Sequence, residues 1–396
     1  MARNCLPARD TMSATYTIGL ACAKHTAMNF APPAREPQGT PMTWFEDLTG
    51  FAETDYETTR AQLRVEGERL HSLANGRNWR IGRLETPTLA ALRERAAPAL
   101  SATRGPLRVR NLAADAYALH AQPELAGTLV QVASQFNLLE MTSPHVRPED
   151  GVGIYQYDHT QGPACARAAG AGTIYRNYFA PVGEQVGQTQ ARQIDTLADL
   201  RAALPGADRL TMHNGYALAD NDTLETIQAT LSQASPAELD ALRACLRIGL
   251  HWDVEVTAQG APLGQCVSQA YCSALPVSYN QSPPALWKAF AQLVLDAAYE
   301  ATLLAGVINA TQPGGRPAVY LTLLGGGAFG NQRSWILHAI ERALTQVRDQ
   351  ALDVCLVSYG HVPSDLQALA AKHDRTQGTF SDSKMAARDT TLGFNL

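Results

Sequence analysis

A chain of 396 residues, 45% hydrophobic and 17% charged, holds enough apolar material for one large domain or two modest ones. Its formal net charge of −5 and isoelectric point near 6.1 leave no basic footprint, which argues against sequence-independent binding to nucleic acid. The seven cysteines show no CxxC or Cys/His ligand spacing, and no uninterrupted apolar run approaches the roughly 18 residues of a membrane helix, so a reduced cytoplasmic protein without membrane span, metal or cofactor is expected.

Residues 1–41 carry one modest apolar patch, TYTIGLACA, without a signal-peptide cleavage pattern, and read as a disordered segment; Met42 opens a more structured stretch and is itself a possible start. From 42 to about 100 the pattern suggests a helical extension: YETTRAQLRVEGERLHSLA spaces Leu63, Val65, Leu70 and Leu73 among charges, and TPTLAALRERAAPAL follows a Thr/Pro start. Strands are expected at LRVRNL and TLVQVASQFN, followed by a small-residue helix in PACARAAGAGTIYRNYF with proline in its first turn. Residues 183–250 look like a mostly helical insertion. HWDVEVT and QCVSQAYCSALPVSYN resume the strands, LWKAFAQLVLDAAYEATLLAGVI is a long helix, and residues 371–396 form a loose polar tail. Strands alternating with helices make residues 101–370 an α/β domain, a mixed sheet flanked by helices in three layers.

The segment VYLTLLGGGAFGNQRSWILHAI raises the question of chemistry. Val319 to Leu324 form an apolar run suited to a buried strand, and Trp335, Ile336, Ala339, Ile340 and Ala343 recur as one helical stripe. Glycines between strand and helix let an anion approach backbone N–H groups at the positive end of the helix dipole. Gly325, Gly327 and Gly330 spell G-x-G-x-x-G, yet the following strand DVCLVSYG ends in tyrosine and glycine rather than a ribose-binding acid, which argues against a dinucleotide fold. No Gly-Lys-Ser or Gly-Lys-Thr follows, so a Walker A loop is excluded. A second glycine loop, YDHTQGPACARAAGAG, places Gly162 and Pro163 before a helix of alanines, and two such loops can embrace a diphosphate.

These segments together resemble the macrodomain, the ADP-ribose-binding fold, in its poly(ADP-ribose) glycohydrolase-like branch. TLVQVASQFN resembles the strand ending in that family's ribose-contacting asparagine, here Asn137. The stretch Thr160, Gln161, Gly162, Pro163 and Ala164 resembles its first loop, and Gly325, Gly326, Gly327, Ala328, Phe329, Gly330 and Asn331 its second. The resemblance implies a site for ADP-ribose or an ADP-ribosylated protein, in an ADP-ribosylhydrolase or in a non-catalytic reader. The glycohydrolase hallmark Gln-Glu-Glu is absent, and the aspartate of some hydrolytic first loops is replaced by Ala164. Glu140 and Asp158 are the carboxylates beside the expected ribose pocket, able to activate water and to stabilise an oxocarbenium-like transition state; both also fit as capping or solvated groups. His159 pairs with Asp158 only if the chain turns there. His251, Asp253 and Glu255 alternate on HWDVEV in a pattern open to a metal, but fit better as an exposed strand face, with Trp252, Val254 and Val256 inside. Arg176 and Asn177 are candidates to reach a phosphate, while Tyr175, Tyr178 and Phe179 fit the core.

Overall fold

The computed structural model describes residues 42–376; the expected disordered start, 1–41, and residues 377–396 of the tail lie outside them. Seven strands pair into one mixed sheet: β1 (Arg83–Glu85), β2 (Arg108–Ala113), β3 (Leu129–Ala133), β4 (Gly249–Glu255), β5 (Cys266–Cys272), β6 (Ala318–Leu321) and β7 (Asp353–Ser358). Their spatial order is β1-β4-β5-β3-β6-β7-β2. From β5 to β2 neighbours run parallel, whereas β4 is antiparallel to both β5 and β1.

Period-two alternation along the inner strands sends side chains to both faces. Leu129, Val319, Leu321, Val354 and Leu356 join one core, while Val130, Val132, Tyr320 and Cys355 join another. Seven helices matter here: α1 (Leu89–Ala102), α2 (Ala116–His120), α3 (Gln161–Ala168), α4 (Gly170–Tyr178), α5 (Pro284–Ala310), α6 (Arg333–Gln346) and α7 (Ser364–His373). α5, with α1 and α6 against it, closes the first core; α2 and α3 close the second, giving the three layers expected from the sequence. By length and composition α5 is apolar enough to cross a membrane, but 94% of its most apolar window is buried inside the protein. Its buried Glu300 takes Arg93 and Arg342 at 2.6 and 2.7 Å, and its Asp296 takes Arg243 at 3.2 Å. These pairings suit the central helix of a core.

Three expectations require correction. Residues 42–100 are not mainly helical: after two six-residue helices, Trp44–Thr49 and Tyr56–Ala61, the chain forms an antiparallel sheet of Leu63–Glu66, Arg69–Ser72 and Asn78–Arg80. Leu63 and Leu70 are seven apart, a spacing that a helix face shares; Gly67, at φ +56°, turns the chain between them into a hairpin. The insertion has its helices, Ala198–Ala203, Asn221–Gln233 and Pro236–Ala244, but also a hairpin of Thr211–His213 and Tyr216–Leu218. Asn214 and Gly215 both have positive φ in its turn, the arrangement that an Asn-Gly pair supports. The expected tail from 371 begins inside α7, which runs to His373.

Candidate active site

The chain leaves β3, β5 and β6 at their carboxyl ends, and there a cleft of about 210 Å³ opens, the usual place for a ligand in a parallel α/β sheet. Beyond Ala133 the backbone folds back over the end of β3. Leu138 adopts φ +64°, and Gln135 accepts from the Met141 amide at 2.7 Å and donates to its carbonyl at 3.1 Å. This turn sets Glu140 on the cleft floor, with only 2% of its surface exposed. Its carboxylate oxygens lie 3.4 and 3.5 Å from Arg176 Nη2, and its amide donates to Tyr155 Oη at 3.2 Å. Burial pushes the Glu140 carboxyl up to about 7 against the opposing pull of Arg176.

α3 starts immediately beside this carboxyl. A Cβ on Gly162 would stand 2.0 Å from the Ala133 carbonyl oxygen and 3.3 Å from Glu140 Cγ, so glycine is what lets the helix reach Glu140. Gln161 accepts from the Ala133 amide at 2.9 Å and donates to the Gln131 carbonyl at 2.8 Å, extending the strand's own pattern. Thr160, at the N-cap, donates its hydroxyl to Asp158 at 2.6 Å rather than capping α3. Asp158 also accepts the Thr160 amide at 2.8 Å, so it caps a turn and lines the cleft at once. The N-terminal segment supports this wall. Glu53 accepts from the amides of Val152 and Gly153 at 2.9 and 2.6 Å and from the Tyr178 hydroxyl at 2.7 Å, pinning the turn of Gly153–Tyr157 that leads to Asp158.

The opposite wall is the glycine loop after β6. Gly325 and Gly330 have φ +69° and +73°, and the Asn331 amide donates to the Gly325 carbonyl at 2.9 Å, closing the loop on itself. Gly325, Gly327, Ala328 and Phe329 line the cleft. The helix expected directly after the glycines begins only at Arg333, so this loop offers backbone, not a helix end.

Several expected ligand residues stand behind the walls. Asn137 is fully buried, accepting from the Leu139 amide and donating to Gln193 at 2.8 Å, outside the cleft lining. Gly326 packs towards Ile336, Gly330 against Ser278, and Asn331 donates to the Leu275 carbonyl at 2.8 Å. Ala164 faces a neighbouring lobe of about 360 Å³ that shares Thr160, Gln161, Thr322 and Leu323 with the cleft. His159 lies in that lobe with Asp115, Tyr359 and Arg333, whose guanidinium is held by Asp365. Arg176 is buried beneath Glu140 and Asn177 donates to the Pro148 carbonyl; neither lines the cleft. His251 is fully buried instead of exposed, because a bulge with Asp253 at φ +54° shifts the alternation of β4.

Phe329, expected from the sequence, is joined in an aromatic wall by two residues that were not expected, Tyr216 and Tyr279. Tyr216, Tyr279 and Phe329 pack with ring centroids 5.1 to 5.5 Å apart, and Tyr216 donates to the Met141 carbonyl at 2.7 Å. Tyr216 comes from the insertion, two residues after the asparagine of the Asn-Gly turn, the one signal that pointed to it. Together the cleft offers flat aromatic surface, open backbone and two carboxyl groups, and among the described residues its lining contains no Lys or Arg.

No protein-family model and no curated protein matches the chain. Among solved structures it is similar to poly(ADP-ribose) glycohydrolase from Deinococcus radiodurans in complex with ADP-ribose, at 11% identity and a TM-score of 0.38, covering 74% of this chain and 94% of that one. It is also similar to poly(ADP-ribose) glycohydrolase from Thermomonospora curvata bound to the inhibitor ADP-HPD, at 14% identity and a TM-score of 0.36, covering 83% of this chain and 97% of that one.

Proposed function

We propose that the cleft binds ADP-ribose and that the protein hydrolyses the glycosidic bond joining ADP-ribose to a modified protein side chain. The observation that carries this reading is Glu140: a buried carboxyl able to hold its proton up to about 7, on the floor of a cleft walled by two glycine-bearing loops. A carboxyl of that kind serves as a general acid. With no cation among the described residues of the lining, a diphosphate is left to the uncapped start of α3 and the amides of Gly327, Ala328 and Phe329. The distal ribose then lies towards Glu140 and the aromatic wall, and the adenosine towards the adjoining lobe with Tyr359 and Asp115.

Hydrolysis divides between the two carboxyl groups. Protonated Glu140 gives its proton to the leaving atom as the bond from the anomeric carbon breaks. Asp158 takes a proton from water as the water oxygen bonds to that carbon, and the negative charge nearby stabilises the oxocarbenium-like transition state. One water is consumed, and a proton returns from Asp158 to Glu140 through solvent.

Calorimetry tests the binding half. ADP-ribose should bind at least about tenfold more tightly than AMP, because the distal ribose and second phosphate fill the lobe nearest Glu140. Equal affinities would mean that the lobe beside Glu140 is not part of the ligand site.

A further inference from the structure

Arg176 has no exposed surface, does not line the cleft, and has no part in the steps above. Its guanidinium is held from several sides. Nε donates to the Leu138 carbonyl at 2.9 Å, the residue whose left-handed backbone turns that carbonyl inward. Nη2 donates to Thr173 Oγ1 at 3.0 Å, Nη1 faces His251 Nδ1 at 3.5 Å, and the group stacks 3.8 Å from the centre of the Tyr271 ring. Glu140 receives what is left, a contact of 3.4 to 3.5 Å. The same protein makes Arg–Glu contacts of 2.6 and 2.7 Å at Glu300, so the longer separation reflects the other anchors.

Four other titratable groups packed around Glu140, namely Tyr155, Tyr271, Cys165 and His251, are uncharged near neutrality. Tyr155 from the turn before α3, Tyr271 from β5 and Cys165 from α3 are pushed well up by burial. His251 from β4 is pushed down to about 3 by burial and by Arg176. Asp158 lines the same cleft. Arg176 is therefore the buried positive charge that faces the Glu140 carboxyl.

We infer that Arg176 is a positioning residue: Leu138 and Thr173 hold its charge at a fixed reach from Glu140, close enough to orient the carboxyl towards the cleft and too far to strip its proton. The inference rests on the reading of Glu140 as proton donor. It predicts opposite effects for two substitutions. Arg176→Met removes the charge and raises the Glu140 titration midpoint by about one pH unit or more, with Arg176→Lys between it and the wild type. Thr173→Val removes one anchor, lets the guanidinium close on the carboxylate, and lowers the midpoint.

Carboxyl-carbon NMR titration of the full chain, with the Glu140 signal assigned through Glu140→Gln, reads these shifts. The alkaline limb of ADP-ribose release should move by the same amount and in the same direction. A midpoint unchanged in Arg176→Met overturns the inference, and so does one unchanged in Thr173→Val if Arg176→Met fails to fold by circular dichroism. The NMR titration does not depend on turnover. A protein that releases no ADP-ribose but shows both shifts loses the hydrolase reading and keeps the Arg176–Glu140 coupling.

Discussion

Glu140→Gln lowers ADP-ribose release by about 10³-fold, within the usual range for loss of a general acid, while affinity for ADP-ribose stays within a few-fold. Glutamine keeps the size of the side chain and can still reach Arg176, but it has no proton to give. The pH profile supplies a second check. Burial raises the folded-state Glu140 to about 7, so the protonated, active form predominates below that pH and falls about tenfold per unit above it. Wild-type turnover should therefore decline on the alkaline side, and Glu140→Gln should lose that limb. Asp158→Ala should cost about 10²-fold or more in turnover, again with binding retained. Full activity in Glu140→Gln alongside loss in Asp158→Ala would move the whole acid–base role to Asp158.

Gly327→Val abolishes ADP-ribose binding, by about 10²-fold or more in affinity, with an unchanged melting temperature. A Cβ at this position meets no atom within 4 Å, and the backbone is not in the left-handed region, so the fold accommodates valine. The branched side chain instead fills cleft space where a phosphate would approach backbone N–H groups. Gly162 is not a substitute for this test. A side chain there collides with the Ala133 carbonyl, so its replacement disturbs folding as well as binding. Unchanged affinity in folded Gly327→Val would show that the second loop is only a turn.

The layered α/β architecture was legible because strands such as that of Val319 to Leu321 are apolar on both faces, and the stripe from Trp335 to Ala343 could only be one side of a helix. The two loops were legible because glycine and proline mark where a backbone must approach something closely. What escaped the sequence depended on three-dimensional return. Tyr216 reaches the cleft from an insertion some 80 positions beyond β3, and nothing local announces its destination. Arg176, considered as a phosphate contact, lies beneath Glu140 because α4 packs under the turn after β3. Asn137 carried the right residue type at the end of the right segment, yet the backbone had already turned, and its amide holds the insertion through Gln193. His251 followed strict alternation until one bulge reversed it.

Release of ADP-ribose tests the central claim most directly. Purified protein is incubated with proteins bearing ADP-ribose on arginine, on aspartate or glutamate, and on serine, and free ADP-ribose is followed by mass spectrometry alongside the Glu140→Gln variant. The account predicts release from at least one of these linkages by the wild type and its loss in the variant. Tight binding of ADP-ribose without release from any linkage would contradict it and make the cleft a recognition site.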